Sequence, residues 1–370
     1  MRSPRVPVVG LAVAAGIGLA AGGVLVIWRG WSRKGRLQRL RERVDTAFRS
    51  IAALPGWSCA DACVLLSGGL DSAIVAEVGA QVLGLRTAFT VVCTEDATDL
   101  PFAVASSIAA GLQHVVLRIP LQELLRRQLP LVVRATQSFD PMSVRNDLAI
   151  AHALSEAAAR GFRCAATGDG ADELLGGYSF THRLPPGRWA YSRNRMAQEM
   201  TFGSTGIGQQ LGMCVASPFT QAGVVKACLA LSKDDCVREL PDGSLQGKVP
   251  LRELFPRVTS AGRRKDPIEV GCGTTALSRP GFFDELVDDS TFAVEAAFVL
   301  EQHGVEIRDK EHLVYYRAFR EVFPNGLVPG KPRHGSDPCP KCGYELSSKT
   351  QIFCVTCGHY DPQMRAHKRK

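Results

Sequence analysis

The chain has 370 residues, 45% of them hydrophobic and 22% charged, enough to bury a sizeable core in one large domain or two. Its formal net charge of +8 comes wholly from residues 1–50, which carry ten Lys/Arg against two acids. The neutral remainder gives no argument for nucleic-acid binding, and twelve cysteines, eight of them scattered through apolar stretches, argue against a disulfide-framed secreted chain.

In chain order, residues 7–28 (PVVGLAVAAGIGLAAGGVLVIW) contain no charge, and as a helix they would extend ~33 Å, enough to cross a bilayer. Trp28, Trp31 and seven basic residues within 29–43 follow, as at a membrane interface. The expectation is a membrane anchor over residues 1–31, with the membrane as a partner and the catalytic body on the cytosolic side. A cleaved signal peptide or organelle targeting by the N-terminus is the alternative. A basic helical stalk is expected over 32–58.

From residue 61 the chain alternates strand-like and helix-like runs. ACVLLS (62–67) reads as strand, 70–84 as helix, TAFTVVC (87–93) as strand, 99–111 as helix and HVVLRI (114–119) as strand. A helix-like run opens at Pro120, another covers 142–160, and FRCAATG (162–168) closes the series as a strand. Short apolar strands alternating with helices predict an α/β fold, a parallel sheet with helices on both faces. From 186 to 325 amphipathic helix dominates, and Gly/Pro-rich 326–338 reads as a linker.

Two strand ends carry unusual loops. Leu65-Leu66-Ser67-Gly68-Gly69-Leu70-Asp71-Ser72 joins a strand to a helix. Its glycines let the backbone approach an oxyanion, and its N–H groups, its two serine hydroxyls and the helix start can all donate to phosphate. Asp71 among phosphates calls for a cation such as Mg2+, since the loop has no lysine. Gly168-Asp169-Gly170-Ala171-Asp172-Glu173 sets three acids within five residues, a like-charge cluster that also calls for a cation or for base chemistry.

SGGLDS resembles the pyrophosphate loop of the N-type ATP pyrophosphatases, which have the adenine nucleotide alpha hydrolase-like fold. GDGADELLGGY is similar to the GEGADE-LFGGY element of the asparagine synthetase and β-lactam synthetase family. The resemblance covers about residues 60–280. It implies that Leu66, Ser67, Gly68, Gly69, Asp71, Ser72 and Gly168 bind ATP or pyrophosphate, and that Asp71 and Asp172 hold Mg2+. It implies further that Asp169 handles the incoming amine near the acyl-adenylate; Asp there is one methylene shorter than the family's Glu. A K-x-x-L-R segment, Lys248-Val249-Pro250-Leu251-Arg252, adds Lys248 to the ATP-binding set. The R-x-K segment Arg263-Arg264-Lys265 puts the family's charge-stabilising lysine on Lys265. The chain departs from the family at Ala216-Ser217-Pro218-Phe219-Thr220-Gln221, which lacks the family's Arg and Asp, so the amino-acid pocket is expected to differ. It also begins Met1-Arg2, without a glutaminase's N-terminal cysteine, so ammonia or an amine is expected from elsewhere, a separate glutaminase included.

Residues 339–357 hold Cys339, Cys342, Cys354 and Cys357 as two Cys-x-x-Cys pairs eleven residues apart, the pattern of a closed, structural Zn2+ ribbon over 339–361. A basic tail, 362–370, follows. The expected function of the body, 59–325, is an asparagine synthase-like amide ligase. It would use ATP to adenylate an amino-acid-like carboxylate, aspartate among the candidates, and pass the acyl group to ammonia or an amine. Two alternatives remain at this level: a tRNA-thiolating ATP pyrophosphatase with Cys93 or Cys164 as nucleophile, and a non-catalytic nucleotide-binding scaffold. The neutral body gives no strong nucleic-acid signal.

Overall fold

Side chains of successive strand residues point to opposite faces of a sheet, and here both directions are apolar. The computed structural model describes residues 32–348 and 351–361. Five strands, β1 (Ala62–Leu65), β2 (Thr87–Val92), β3 (Gln113–Arg118), β4 (Cys164–Ala166) and β5 (Cys214–Ala216), form one sheet in the order β3-β2-β1-β4-β5. Every neighbouring pair is parallel, with Val64 opposite Ala88 on one side of β1 and opposite Ala166 on the other. Cys63, Phe89 and Val91 enter one core cluster, while Ala62, Val64, Leu66 and Ala88 enter a second on the other face. The α/β fold with helices on both faces is thus as the sequence predicts.

The strand order runs outward from β1 in both directions, so the chain reverses course between β1 and β4. In open parallel sheets that reversal leaves a crevice at the carboxyl ends of the strands, where ligands bind. The SGGLDS and GDGADE loops leave β1 and β4 at that place.

Membrane anchoring is withdrawn. The expected span, 7–28, lies outside the described residues, as does the basic tail 362–370. Among the described residues no helix is long and apolar enough to cross a membrane. The longest, Arg33–Ala52, has 20 residues and is studded with basic side chains. The membrane as a partner and the membrane-anchored, cytosol-facing placement fall with the span.

The same helix corrects the stalk. It buries Leu37, Leu40, Val44, Ala47, Phe48 and Ile51, an i, i+3, i+4 stripe, in the second core cluster. Ser32 caps its start, accepting from the Gly35 N–H at 3.2 Å, and Arg36 pairs with Asp235 at 2.8 Å. Arg41 donates to the Leu254 carbonyl at 3.0 Å. The segment is a packed element of the body.

The residues expected as a linker are likewise engaged: Arg333 bridges to Tyr344 and Pro338 to Glu345 in antiparallel pairs. The cysteine-bearing segment docks on the body, where the Phe139 N–H donates to the Thr356 carbonyl at 2.8 Å and Ser138 Oγ to the Val355 carbonyl at 2.6 Å. Tyr344 is buried against Phe319, and its hydroxyl donates to the Gly326 carbonyl at 2.9 Å.

Candidate active site

The β1 loop is held in a tight turn by its own serines. Ser67 and Ser72 hydroxyls lie 3.0 Å apart, the Gly69 N–H donates to Ser67 Oγ at 3.3 Å, and Ser72 Oγ donates to the Gly69 carbonyl at 3.1 Å. From outside, Ser260 Oγ donates to the Gly68 carbonyl at 2.6 Å. The helix Leu70–Val82 then starts, with Asp71 in its first turn at the positive end of the dipole.

Gly68 sits at φ +75°, and a Cβ there would meet the Ala103 amide nitrogen at 2.6 Å and the Asp99 carbonyl at 2.7 Å. Gly68→Ala should therefore cost about 1–3 kcal/mol from strain alone, more if the loop cannot shift. Urea denaturation checks this, and an unchanged midpoint would show that the loop relaxes freely.

The β4 loop follows a strand that is fully buried. The Thr167 N–H continues the ladder to the Ala216 carbonyl at 3.0 Å, and Gly168 then lies flat against Asp71 and Ser72. Asp169 is turned away from them: its Oδ2 accepts from Thr167 Oγ1 at 2.7 Å and from Ser204 Oγ at 2.6 Å. Asp172, in the short helix Ala171–Leu175, faces Asp71.

Lys248 joins the two loops. Its side chain is 3% exposed, and its Nζ pairs with Asp71 Oδ2 and with Asp172 Oδ1, the latter at 2.6 Å. Lys265, arriving on a later loop, pairs with Asp172 Oδ2 at 3.1 Å. Burial raises the Asp172 pKa, but the two lysines outweigh it and hold the carboxyl at about 2. Burial dominates at Asp71, whose pKa stays raised although Lys248 pulls it down. Burial pulls the Lys248 pKa down, but Asp172 and Asp71 outweigh it and shift it upward.

Six of the expected residues, Ser67, Gly68, Gly69, Asp71, Ser72 and Gly168, thus pack together with Asp172, Lys248 and Lys265. Leu66 is core, and its carbonyl accepts from Thr90 Oγ1 at 2.5 Å. Asp71 Oδ1 is buried without a hydrogen-bond partner, an orphan that suits a cation. Asp169 belongs to a separate corner of the crevice. The thiols that tRNA thiolation would need are not poised: Cys164 is buried in β4, donating to the Gly56 carbonyl at 3.3 Å. The pKa of Cys93 is driven upward by its hydrogen bond with Cys272 and by burial.

Sequence reasoning missed three contributors. Arg263 Nη2 pairs with buried Asp99 at 2.6 Å and lies over the Phe102 ring at 4.3 Å, fixing the approach of the Lys265 loop. Ser204 holds Asp169, and Asp147, buried on the helix Pro141–Ala159, faces Asp169. The one signal for Asp147 was an acid inside an apolar run, NDLAIAHAL.

Away from the crevice, Cys339, Cys342, Cys354 and Cys357 are all buried, and their sulfurs lie within 4.8 Å of one another. That set matches a four-thiolate metal site.

Residues 58–213 match the family model described as asparagine synthase. A search of curated proteins finds no match. The matched stretch contains Asp71, Asp169 and Asp172; Lys248 and Lys265 lie beyond it and are brought in by the fold. Over residues 58–213 the chain is thus similar to the asparagine synthase family, which supports an ATP-dependent amide ligase in general.

Proposed function

We propose that the asparagine synthase domain is an AMP-forming ligase that activates a carboxylate as its acyl-adenylate and transfers the acyl group to ammonia or an amine. The substrate carboxylate oxygen attacks the α-phosphorus of ATP, and pyrophosphate leaves. The observation that carries this reading is the buried Asp71–Lys248–Asp172 pairing beside the glycine loop. The Ser67–Ser72 turn and the start of the Leu70–Val82 helix offer N–H and O–H groups to the departing oxygens.

Asp71 and Asp172 would hold Mg2+, which supplies positive charge against the pyrophosphate oxygens. The orphan Asp71 Oδ1 is the atom that fits it best. Lys248, locked between the two carboxylates, bridges them and, with Lys265, holds Asp172 ionised. Lys265, whose side chain is 32% exposed, is the one free to swing from Asp172 toward the phosphates as charge builds. The four cysteines would hold a structural Zn2+.

Amino-acid-dependent ATP–pyrophosphate exchange, screened across the common amino acids, tests the reading. Exchange with one acid supports it, and ATP binding without exchange for any acid overturns it. Lys265→Ala should slow that exchange by about 2–4 kcal/mol of barrier, the cost of one preorganised charge donor. Rates measured at saturating ATP check this; an undiminished rate would remove Lys265 from the chemistry.

A further inference from the structure

Cys93 and Cys272 meet at the carboxyl end of β2, beside the crevice but outside its set of acids and lysines. The Cys93 N–H donates to the Cys272 carbonyl at 2.8 Å, and the two thiols share a hydrogen bond. That backbone bond keeps the two Cα atoms within ~6.7 Å of each other, inside the ~4.4–6.8 Å range that a disulfide can bridge. Both are free cysteines; Cys272 is 4% exposed and Cys93 is half-buried, so the pair is reached from the Cys93 side.

Cys272 closes a segment that is pinned to two neighbouring loops. At its start Ser260 Oγ donates to the Gly68 carbonyl at 2.6 Å and Arg263 Nη1 to the Ser67 carbonyl at 3.5 Å. Arg263 also pairs with Asp99 at 2.6 Å. At its end the Asp99 N–H donates to the Gly271 carbonyl at 3.1 Å. Just beyond, Gly273 sits at φ +93°, where a Cβ would lie 2.1 Å from Thr94 Oγ1. Segment 260–272, with Lys265 between its pins, thus lies against the SGGLDS loop, and each of these ties is noncovalent.

We propose that Cys93 and Cys272 are an oxidative modification site, which hydrogen peroxide converts to a disulfide that fastens segment 260–272 against the phosphate loop. The Cys272 sulfur, as thiolate, attacks one oxygen of the peroxide; the O–O bond breaks and hydroxide leaves with the electron pair. The Cys93 sulfur then attacks the resulting sulfenic sulfur, the S–S bond forms, and the Cys93 proton leaves with the sulfenic oxygen as water. The two sulfurs together lose two electrons, and the peroxide gains them. The hydrogen bond from the Cys93 thiol, helped by Thr274, outweighs burial and lowers the Cys272 pKa, which suits Cys272 as the first nucleophile. Fastening leaves the charges of the crevice in place and removes the freedom of the segment to lift.

The test exposes the full chain to hydrogen peroxide, blocks the remaining thiols and digests it with trypsin without reduction. The tryptic fragment 87–118 and the fragment that begins at Asp266 each hold a single cysteine. They should appear joined after oxidation and separate after dithiothreitol. In the joined form, amide hydrogen exchange over 263–272 should slow at least ~5-fold relative to the reduced chain. Peroxide-treated Cys93→Ala should show neither change, and Cys272→Ala takes its place if that variant does not fold. Both cysteines still open to the blocking reagent after peroxide, or either halted as a sulfinic acid, overturns the site. A joined pair with unaltered exchange over 263–272 overturns the fastening, and so does equal slowing in the alanine variant. None of these measurements uses ATP, so their outcome stands apart from that of the ligase reading.

Discussion

Lys248→Met should destabilise the folded protein by about 3–5 kcal/mol and abolish pyrophosphate exchange, although methionine fills nearly the same volume. The lysine is 3% exposed and lies between Asp71 and Asp172, so its removal leaves two buried carboxylates facing each other without compensation. The deficit should depend on pH in a definite direction. In the wild type Asp172 is held at about 2, below its ordinary 3.8, so its stabilising share is complete above the ordinary value and fades as pH falls through about 2. Without Lys248 the carboxyl pair is pushed upward and takes up protons on folding. Stability of the variant should then fall more steeply than that of the wild type as pH rises from acid toward neutrality. Added Mg2+ should restore more stability to the variant than to the wild type, because the metal and the ammonium serve the same two carboxylates. Urea unfolding of both proteins across pH, with and without Mg2+, decides it. A variant as stable as the wild type at neutral pH would mean that the pair is solvated in practice.

The sheet was legible where a strand is apolar in both directions: β1, β2, β3 and β4 fall within or beside the expected runs. β5, only Cys214–Ala216, was not, because three residues in a helix-rich stretch make no periodic signal. The phosphate loop was legible because glycines, serines and a following helix leave few other uses for that string. The part played by Lys248 was hidden. Spacing can nominate a lysine for phosphate, but only the fold shows that its left-handed backbone (φ +57°) and the hydrogen bond its N–H donates to the Leu175 carbonyl at 3.0 Å aim it at two carboxylates. Asp147 was hidden for a related reason, since its partner enters from an element 22 residues further along and its rest is a glycine further still. The Arg33–Ala52 helix shows a different failure. Its buried stripe of Leu37, Leu40, Val44 and Phe48 was present in the sequence, but the surrounding basic residues drew attention to a membrane surface. Long basic side chains can flank a packed face with their stems while their charges reach water or an acid such as Asp235.

If the four-cysteine cluster holds Zn2+ as proposed, Cys342→Ser should abolish that binding and unfold the segment around it, with effects reaching the crevice. Four buried sulfurs within 4.8 Å leave no room for three ligands and a hydroxyl of equal affinity, and structural Zn2+ contributes about 10 kcal/mol or more to folding such segments. Among the contacts of the folded segment with the body, one set lies at the start of the helix Pro141–Ala159. Val355 and Thr356 carbonyls accept from Ser138 Oγ and from the Phe139 N–H, Lys331 Nζ donates to Thr356 Oγ1 at 3.1 Å, and Arg308 donates to the Cys357 carbonyl at 3.3 Å. Directly after Phe139, Asp140 caps the helix Pro141–Ala159 by accepting from the Ser143 N–H at 3.1 Å. That helix carries Arg145, locked between Glu269 at 2.8 Å and Glu311 at 2.9 Å, and then Asp147. Amide hydrogen exchange should therefore rise in 339–357 and also in 138–147, while the β1–β2 core stays protected. Metal content by mass spectrometry and exchange on the same samples check both halves. Faster exchange confined to 339–357 would mean that the ribbon is carried by the body without bracing it. Spread to 138–147 would mean that the metal holds one wall of the crevice in place from the far side of the helix.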